Sequence, residues 1–323
     1  MAASQALSRS ELPQLSVCIC TFRRPELLKR LLNALLAQTY PSECFEVLVV
    51  DNDAEGSALP VLEALQPLFG ERLTVLRLAE SNISLARNAA IQRAAYPWIV
   101  MIDDDELPQP QWLAALADAQ CAYQADVVFA PVLPEYDPQV PAWIQRGGYF
   151  NRARMASGTP INHRNARSGN VLMRRAILQR VGGADGPFSR EYGRSGGEDS
   201  MLFRQLDMAG ACMVWCDEAP VTEWVPADRA RAAWLLKRSF RTGQLFMKTE
   251  LATTAPSRKP VRALWLSLRA VLQLAAALAL VLVLICFDPE KAFSWLRVVA
   301  SQCGKLNHFL SRPPEVYGST QGR

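Results

Sequence analysis

Short apolar runs alternate with helical patterns along the first half of the chain. The runs Leu15–Cys20, Phe45–Val50 and Leu73–Leu78 are typical of buried strands. Between them, leucines recur at helical spacing after Pro25, which suits the first turn of a helix, and a second helical pattern covers Leu59–Phe69. Strands that alternate with helices in this way predict an α/β fold with a Rossmann-like, mostly parallel sheet and helices on both faces.

A fourth predicted strand ends in a run of acids. Trp98–Glu106 reads W-I-V-M-I-D-D-D-E, so five residues of a buried strand lead directly into four carboxylates. Because side chains alternate along a strand, Asp103 and Asp105 are expected on one side and Asp104 on the other. Further elements are predicted at three places: a helix that Ser84 caps and that continues through Tyr96, a helix over Gln109–Tyr123 and a strand over Asp126–Ala130.

Polar side chains follow three of these strands, at Thr21–Arg24, Asp51–Asp53 and Asp103–Asp105. Ligands of such sheets bind outside the carboxyl ends of the strands, so one shared site is predicted there. Three adjacent carboxylates repel one another, and a hard divalent cation carrying phosphates would relieve that repulsion. The alternative is an acidic turn that caps the following helix.

No glycine-rich phosphate loop follows the first strand, which disfavours a dinucleotide dehydrogenase or a P-loop ATPase.

The second half is less regular and carries two further candidates. A glycine-rich segment leads into Glu198 and Asp199 at the start of a helix predicted over Asp199–Met208, after a short strand at Val171–Met173. Acids there stabilise a helix dipole or supply a general base. A basic helix predicted over Arg229–Lys248 presents cations suited to a diphosphate, to anionic lipid or simply to solvent; the candidates are Arg229, Arg238 and Arg241.

The charge is unevenly distributed. Residues 138–184 contain eight arginines and no acid, and residues 227–269 contain ten Lys or Arg against two acids. Each segment therefore carries +8, and since the whole chain carries +4, the remainder carries −12. Such asymmetry favours an anionic ligand or membrane surface.

The eight cysteines show no metal-site spacing, which favours reduced core thiols and disfavours a zinc site.

An apolar segment near the C-terminus predicts a membrane helix at about 263–287, with basic residues on its N-terminal flank. Phe293–Phe309 is amphipathic and suits a membrane interface. Whether this region spans once, forms a hairpin or lies in the interface stays open at this point. The basic residues Lys259, Arg262 and Arg269 on the N-terminal flank predict a cytoplasmic catalytic side, and the N-terminus shows no apolar core of a secretion signal.

Six segments together resemble glycosyltransferase family 2, the inverting nucleotide-sugar transferases with the GT-A fold. They read S-V-C-I-C-T-F-R-R-P, V-L-V-V-D-N-D, I-S-L-A-R-N-A-A-I, M-I-D-D-D-E-L-P, S-G-N-V-L-M-R-R and G-G-E-D-S-M-L-F-R, and they fall in the family's order. The resemblance implies a catalytic domain at 15–250, in a nucleotide-binding half (15–130) and an acceptor-binding half (131–250). A polar tail (1–14) precedes it, and a membrane-associated segment (251–323) follows.

The resemblance also implies roles for individual residues. Asp199 matches the catalytic base, with Glu198 beside it, and Asp103 and Asp105 match the outer acids of the D-x-D motif, with Asp105 on a Mg²⁺ or Mn²⁺ ion. Glu223 stands near a position where many relatives carry a metal-linked histidine, so it is a third candidate metal ligand. Nucleotide-sugar binding is expected from Thr21, Arg23, Arg24, Asp51, Asp53, Arg87, Asp103, Asp104, Arg229, Arg238 and Arg241.

The implied function is transfer of a sugar, with a UDP-sugar as the expected donor, to a hydroxyl of a lipid-linked saccharide or polysaccharide. The expected setting is cell-surface polysaccharide synthesis at the cytoplasmic face of a bacterial inner membrane, with no nucleic acid partner. A sugar nucleotidyltransferase of related fold is an alternative, although T-F-R-R-P lacks the glycines of its loop. A glycosidase would need no nucleotide pocket, and a non-catalytic membrane scaffold would need no acids at strand ends.

Overall fold

The computed structural model describes residues 12–311, so most of the predicted tail 1–14 lies outside the described residues. The strands are β1 Leu15–Thr21, β2 Phe45–Asp51, β3 Leu73–Arg77, β4 Trp98–Asp103, β5 Glu106–Pro108, β6 Val127–Phe129, β7 Val132–Tyr136, β8 Val171–Arg174, β9 Met213–Trp215 and β10 Val221–Val225. The helices are α1 Pro25–Leu36, α2 Leu59–Phe69, α3 Ile83–Arg93, α4 Trp112–Tyr123, α5 Ala142–Arg146, α6 Arg175–Val181, α7 Glu198–Met208, α8 Ala232–Ala252, α9 Lys259–Leu284 and α10 Pro289–Asn307.

The chain forms two compact units. The first consists of residues up to Leu133 together with Arg152–Arg194 and Glu198–Glu223. The second consists of Pro134–Asn151, Ser195–Gly197 and the chain from Trp224 onward, so α8 lies in the same unit as α9 and α10. The functional division at residue 250 stays a prediction.

The first unit is built on a seven-stranded sheet of order β3-β2-β1-β4-β8-β6-β9. The four strands from β3 to β4 are parallel, β8 runs antiparallel to both of its neighbours, and β9 is parallel to β6. The predicted α/β fold with a mostly parallel sheet is therefore confirmed. A smaller three-stranded sheet has the order β5-β10-β7.

Buried side chains alternate between the two faces of the large sheet. On β1, Val17 and Ile19 belong to one apolar cluster, and Cys18 belongs to the other. The first cluster includes the buried leucines of α1 and Trp112 of α4, and the second includes the apolar residues of α3, α6 and α7. The central strands are covered on both faces, which explains why they read as continuous apolar runs.

Several helix boundaries differ from the predicted ones. Asn82, and not Ser84, caps α3, because its side-chain oxygen accepts from the backbone N–H groups of Ser84 and Leu85. Helix α3 ends at Arg93 and α4 begins at Trp112, so both are shorter than predicted. Helix α8 begins three residues after Arg229, which therefore precedes the basic helix.

The second unit contains α8, α9 and α10, and α10 packs against the other two. A separate apolar cluster in this unit includes Ile144, Tyr149 and Leu235. Aromatic side chains of this unit pack on one another: Trp143 makes edge contacts with Tyr149, and Phe150 stacks on Trp234.

Candidate active site

Strand register brings the predicted polar segments to one edge of the sheet. Thr21 at the end of β1 is paired with Asp51 at the end of β2, and Cys20 is paired with Asp103 at the end of β4. The carboxyl ends of these three parallel strands therefore coincide, as expected for a ligand site in such a sheet. The acids at this edge are the centre of the candidate site.

Arg24 holds two of these acids. Its Nη1 atom lies 2.9 Å from Asp104 Oδ1 and 2.9 Å from Asp105 Oδ2, and the Thr21 hydroxyl donates to Asp104 Oδ2 at 2.9 Å. Asp104 and Asp105 thus contact the same guanidinium nitrogen. The predicted alternation was wrong at this point because β4 ends at Asp103, and the next two residues form a turn.

Arg87 of α3 joins Asp103 to the head of α7. Its Nη1 atom donates to Glu198 Oε1 at 2.6 Å, and its Nη2 atom donates to Asp103 Oδ1 at 3.3 Å. The Arg87 and Glu198 side chains are only 7% and 5% exposed, whereas the Asp103 side chain is 45% exposed. A buried, charge-assisted pair therefore connects the strand-end acids with the proposed base region, and Asp103 remains accessible to a ligand.

Glu106 and Glu223 extend the acidic cluster. They are paired in register across β5 and β10, and Arg152 donates to Glu223 Oε2 at 2.8 Å. Glu106 Oε2 accepts from the backbone N–H of Asp103, while its buried Oε1 atom has no hydrogen-bond partner. A Cβ at Gly169 would lie 2.4 Å from Glu106 Oε1, so this acid occupies space that only glycine leaves open.

Four of these carboxyl groups, Asp104, Asp105, Glu106 and Glu198, have raised pKa values, and burial is the largest cause of each shift. Burial, with repulsion from Asp104, raises the pKa of Asp105 to about 8, although Arg24 opposes the shift. Burial raises the pKa of Glu198 to about 7 against the attraction of Arg87, and burial with repulsion from Asp103 holds the pKa of Glu106 well above its usual range. Burial therefore favours the protonated forms of these acids, and a bound cation would favour their ionised forms.

The loop after β2 is held by its own acids. Asp51 is buried, and its two oxygens accept from the backbone N–H groups of Asp53 and Ala58 at 3.1 and 3.0 Å. Asp53 is buried as well, and its Oδ2 atom accepts from Arg23 Nε at 3.3 Å. The contacts of Asp51 with a nucleotide stay a prediction, and the structure gives it a clear part in shaping this loop.

Asp199 lies in the first turn of α7, next to the buried Glu198. It is half-buried, and its Oδ1 atom accepts from the backbone N–H of Ser200 at 2.6 Å. The two adjacent acids thus differ: Glu198 is engaged by Arg87, and Asp199 is partly open to solvent.

The three arginines predicted from the basic helix lie in the second unit. Arg238 packs over the rings of Phe150 and Trp234, Arg241 lies one turn further along α8, and Arg229 precedes the helix. Their contact with a diphosphate stays a prediction.

Comparison with known proteins decides the family. The family model described as Glycosyl transferase family 2 matches residues 16–182. The succinoglycan biosynthesis protein ExoM of Rhizobium meliloti is 34% identical over 236 residues, which cover 73% of this chain and 74% of ExoM. The chain belongs to glycosyltransferase family 2. It is a nucleotide-sugar-dependent glycosyltransferase, as the sequence motifs predicted.

Other relatives agree with this assignment. Glycosyltransferase AglE of Haloferax volcanii is 27% identical over 237 residues and covers 73% of both chains. The mannosyltransferase PcManGT of Pyrobaculum calidifontis, solved with GDP-Man and Mn²⁺, superimposes with a TM-score of 0.60 at 22% identity over 94% of this chain and 89% of its own. S. aureus TarS 1-349 with UDP-GlcNAc gives a TM-score of 0.52 at 13% identity over 96% of this chain and 98% of its own. These structures confirm the GT-A fold.

The transferase offers suitable donors for the divalent cation that the family implies. Hard cations such as Mg²⁺ and Mn²⁺ take carboxylate oxygens, and the buried Glu106 Oε1 atom beside Asp103 has no hydrogen-bond partner of its own. Within residues 12–311, however, no three acidic, His or Cys side chains converge as a preformed metal site. Asp103, Asp105 and Glu223 are each paired with an arginine, and their carboxylate oxygens are of the kind that such a cation binds.

Two residues that hold the site together, Asn170 and Arg152, were not identified as site residues from the sequence. Asn170, in the left-handed conformation at φ 52°, accepts from Trp112 Nε1 and donates to the carbonyls of Pro131 and Ala219. Arg152, the partner of Glu223, was counted only as part of a basic segment. The S-G-N motif carried the signal for Asn170, whereas Arg152 meets its partner only in the fold.

Proposed function

We propose that this transferase moves a sugar, with inversion at the anomeric carbon, from a UDP-sugar to a hydroxyl of a lipid-linked saccharide or polysaccharide. The observation that carries this proposal is the Arg87 bridge between the strand-end Asp103 and the head of α7. It supports a donor site and a base site held at a fixed separation by one buried side chain. Similarity to ExoM, a succinoglycan biosynthesis protein, supports a surface polysaccharide as the product.

In the proposed reaction, Asp199 accepts the proton of the acceptor hydroxyl, which is otherwise a poor nucleophile. The hydroxyl oxygen then attacks the anomeric carbon from the face opposite the diphosphate, and the bond to the diphosphate oxygen breaks with its electron pair. Glu198 takes no proton in this scheme. Its hydrogen bond with Arg87 fixes the start of α7, so that Asp199 is correctly placed.

The departing nucleoside diphosphate carries negative charge. Asp103 and Asp105, with Glu223 as a third candidate, would hold a Mg²⁺ or Mn²⁺ ion that stabilises this charge when bound. Thr21 and Arg24 would orient Asp104 and Asp105, and Asp51, Asp53 and Arg23 would shape the nucleotide loop. Arg229, Arg238 and Arg241 are proposed to add positive charge near the phosphates.

We further propose that the enzyme works at the cytoplasmic face of a bacterial inner membrane. The support is the long apolar C-terminal helix and the basic residues on its flank, together with an acceptor class that is membrane-linked. For the same reason we propose that the catalytic domain ends at residue 250 and that the membrane-associated segment follows it.

The donor is tested by incubating the purified chain with a panel of UDP- and GDP-sugars with Mg²⁺ or Mn²⁺ and measuring release of nucleoside diphosphate. We expect turnover of a UDP-sugar that depends on the metal. Asp105→Ala should weaken metal-dependent nucleotide binding in calorimetry, whereas Asp118→Ala, which removes an exposed acid of α4, should not. Turnover of a GDP-sugar alone would refute the donor assignment, and unchanged Mn²⁺-dependent affinity in Asp105→Ala would refute the metal role.

A further inference from the structure

Helix α9 exposes a long apolar face. Within residues 12–311, one helical stretch, Pro256–Leu284, is long and apolar enough to cross a membrane, with a mean hydropathy of 2.2 over its most apolar window and only 17% of that window buried. Exposed apolar side chains follow one another along the helix at Val261, Leu264, Leu268, Leu272, Leu278, Leu282 and Val283. A continuous apolar surface of this length indicates a partner that covers it.

The opposite side of α9 is packed. Leu266, Ala270 and Ala277 are buried and recur at helical spacing, and α9 packs mainly against α10. An ion pair also ties α9 to α8, because Arg262 Nη2 lies 2.8 Å from Glu250 Oε2, and that carboxyl is buried. The helix therefore has one face against protein and one face open along its whole length.

Helix α10 is held tightly to α8. A Cβ at Gly243 of α8 would lie 2.0 Å from the Ser301 carbonyl oxygen, and a Cβ at Gly304 of α10 would lie 1.9 Å from the Phe240 carbonyl oxygen. The two backbones thus approach as closely as glycine permits, and Gln244 donates to Asn307 Oδ1 at 2.9 Å beside this crossing. Separating α10 from α8 would lose this close packing and the hydrogen bond, so α10 is expected to stay with α8.

The other end of α10 is fixed as well. The Tyr149 hydroxyl donates to the Glu290 carbonyl at 2.9 Å, Arg146 pairs with the Glu290 carboxylate, and Phe293 packs on the Tyr149 ring. If α9 crossed a bilayer, α10 would enter the hydrocarbon with it and would draw in α8. These two helices carry many ionisable side chains, which are costly there: Lys237, Arg238, Arg241, Lys248, Glu250, Arg297 and Lys305.

We propose that α9 lies in the plane of an anionic phospholipid surface, with its exposed apolar face in the headgroup–acyl boundary and without crossing the bilayer. Arg258 just before α9 and Lys259 and Arg269 in its N-terminal half are exposed, so positive charge accompanies the apolar face, as in helices that bind anionic membrane surfaces. Of the arrangements left open by the sequence for the helix at 263–287, this one places it in the interface and excludes a span. It concerns membrane attachment alone and stands independently of the proposed sugar transfer.

Vesicle flotation of the full chain tests the surface. We expect flotation with vesicles of phosphatidylglycerol and phosphatidylcholine, and at least a several-fold loss with phosphatidylcholine alone or in high salt. Replacing Leu264, Leu268 and Leu272 together by Glu should abolish flotation without changing nucleotide binding, since all three are more than half exposed. The matched control Leu68→Glu/Met208→Glu, at two exposed apolar positions of the first unit, should float normally.

A thiol-labelling experiment separates the in-plane arrangement from a span. Cys212 of the first unit is exposed, and Lys291 at the start of α10 is exposed, so Lys291→Cys provides a second reporter beyond α9. The exposed Cys286 just after α9 is first replaced by serine. In membrane vesicles of known orientation, a membrane-impermeant maleimide should then label both reporter thiols from the same side, and loss of one signal in Cys212→Ser identifies the first. Labelling from opposite sides would establish a span and overturn the proposal. Absence of vesicle binding with dimerisation through α9, seen by light scattering, would assign the face to a second copy and would also overturn it.

Discussion

Replacing Arg87 with Met should destabilise the protein in a pH-dependent way. Arg87 and Glu198 form a buried pair at 2.6 Å, and Glu198 Oε2 already lacks a hydrogen-bond partner. Removing one partner of such a pair costs about 3–5 kcal/mol when the remaining group stays charged. Glu198 limits that cost by taking up a proton, because its pKa is already raised to about 7, mainly by burial.

The sign follows from this pKa. A carboxyl whose pKa in the folded state lies above its ordinary value stabilises the fold while protonated, and that contribution is lost as the pH rises through about 7. In the wild type, the positive charge of Arg87 stabilises the ionised Glu198 carboxylate and so reduces this loss of stability. At pH 6 the group is largely protonated, so the variant should lose about 1 kcal/mol, the value of a hydrogen bond, whereas at pH 8 it should lose about 3 kcal/mol.

Urea unfolding followed by circular dichroism at pH 6 and pH 8 measures both values. Arg190→Met is a matched control, because Arg190 pairs with Glu80 at 2.7 Å on the surface, and it should lose less than about 1 kcal/mol at either pH. Adding Glu198→Gln to Arg87→Met should recover part of the loss at pH 8. Equal losses at the two pH values, or equal losses for Arg87→Met and Arg190→Met, would refute the reasoning.

Two further predictions concern other parts of the site. Asn170→Ala should cost about 3 kcal/mol in urea unfolding, since it removes the partner of Trp112 Nε1 and of the Ala219 carbonyl and places alanine at a left-handed φ of 52°, and a loss below about 1 kcal/mol would contradict this. Binding of Mn²⁺ with nucleotide at pH 7 should release close to one proton in calorimetry across buffers of different protonation heat. The reason is that the pKa of Asp105 is raised to about 8 in the free protein, so this carboxyl must lose its proton to bind the ion. If Asp105→Ala still releases this proton on binding, the proton must come from another group.

The sheet was largely predictable, because a strand buried on both faces appears in the sequence as a continuous run of apolar residues. The runs at β1, β2 and β4 are apolar at nearly every position, so their extent and order follow from the sequence. The antiparallel β8 was not predictable, since Val171–Arg174 carries nothing that distinguishes its direction from that of its neighbours. Helix starts were less certain because Asn82 and Ser84 are both good caps, and only the fold decides between them.

The chemical types of the site residues could be predicted from the sequence, but their hydrogen-bond and ion-pair partners could not. The acids of Asp103–Glu106 stand out in the sequence, but the turn that points Asp104 and Asp105 at Arg24 depends on where β4 stops. The Arg87–Glu198 pair joins residues 111 positions apart, and no local pattern reports such a distance. Gly243 and Gly304 likewise appear unremarkable until α8 and α10 cross.

The central claim is that Asp199 is the base of a sugar transfer, and Asp199→Asn tests it most directly. Donor turnover and transfer to acceptor are measured together with Mn²⁺-dependent binding of the nucleoside diphosphate, with Asp118→Asn as the surface control. The account predicts that transfer falls by roughly 100-fold or more, in keeping with loss of a general base, while nucleotide affinity stays at the wild-type value. Near-wild-type turnover in Asp199→Asn would contradict the account.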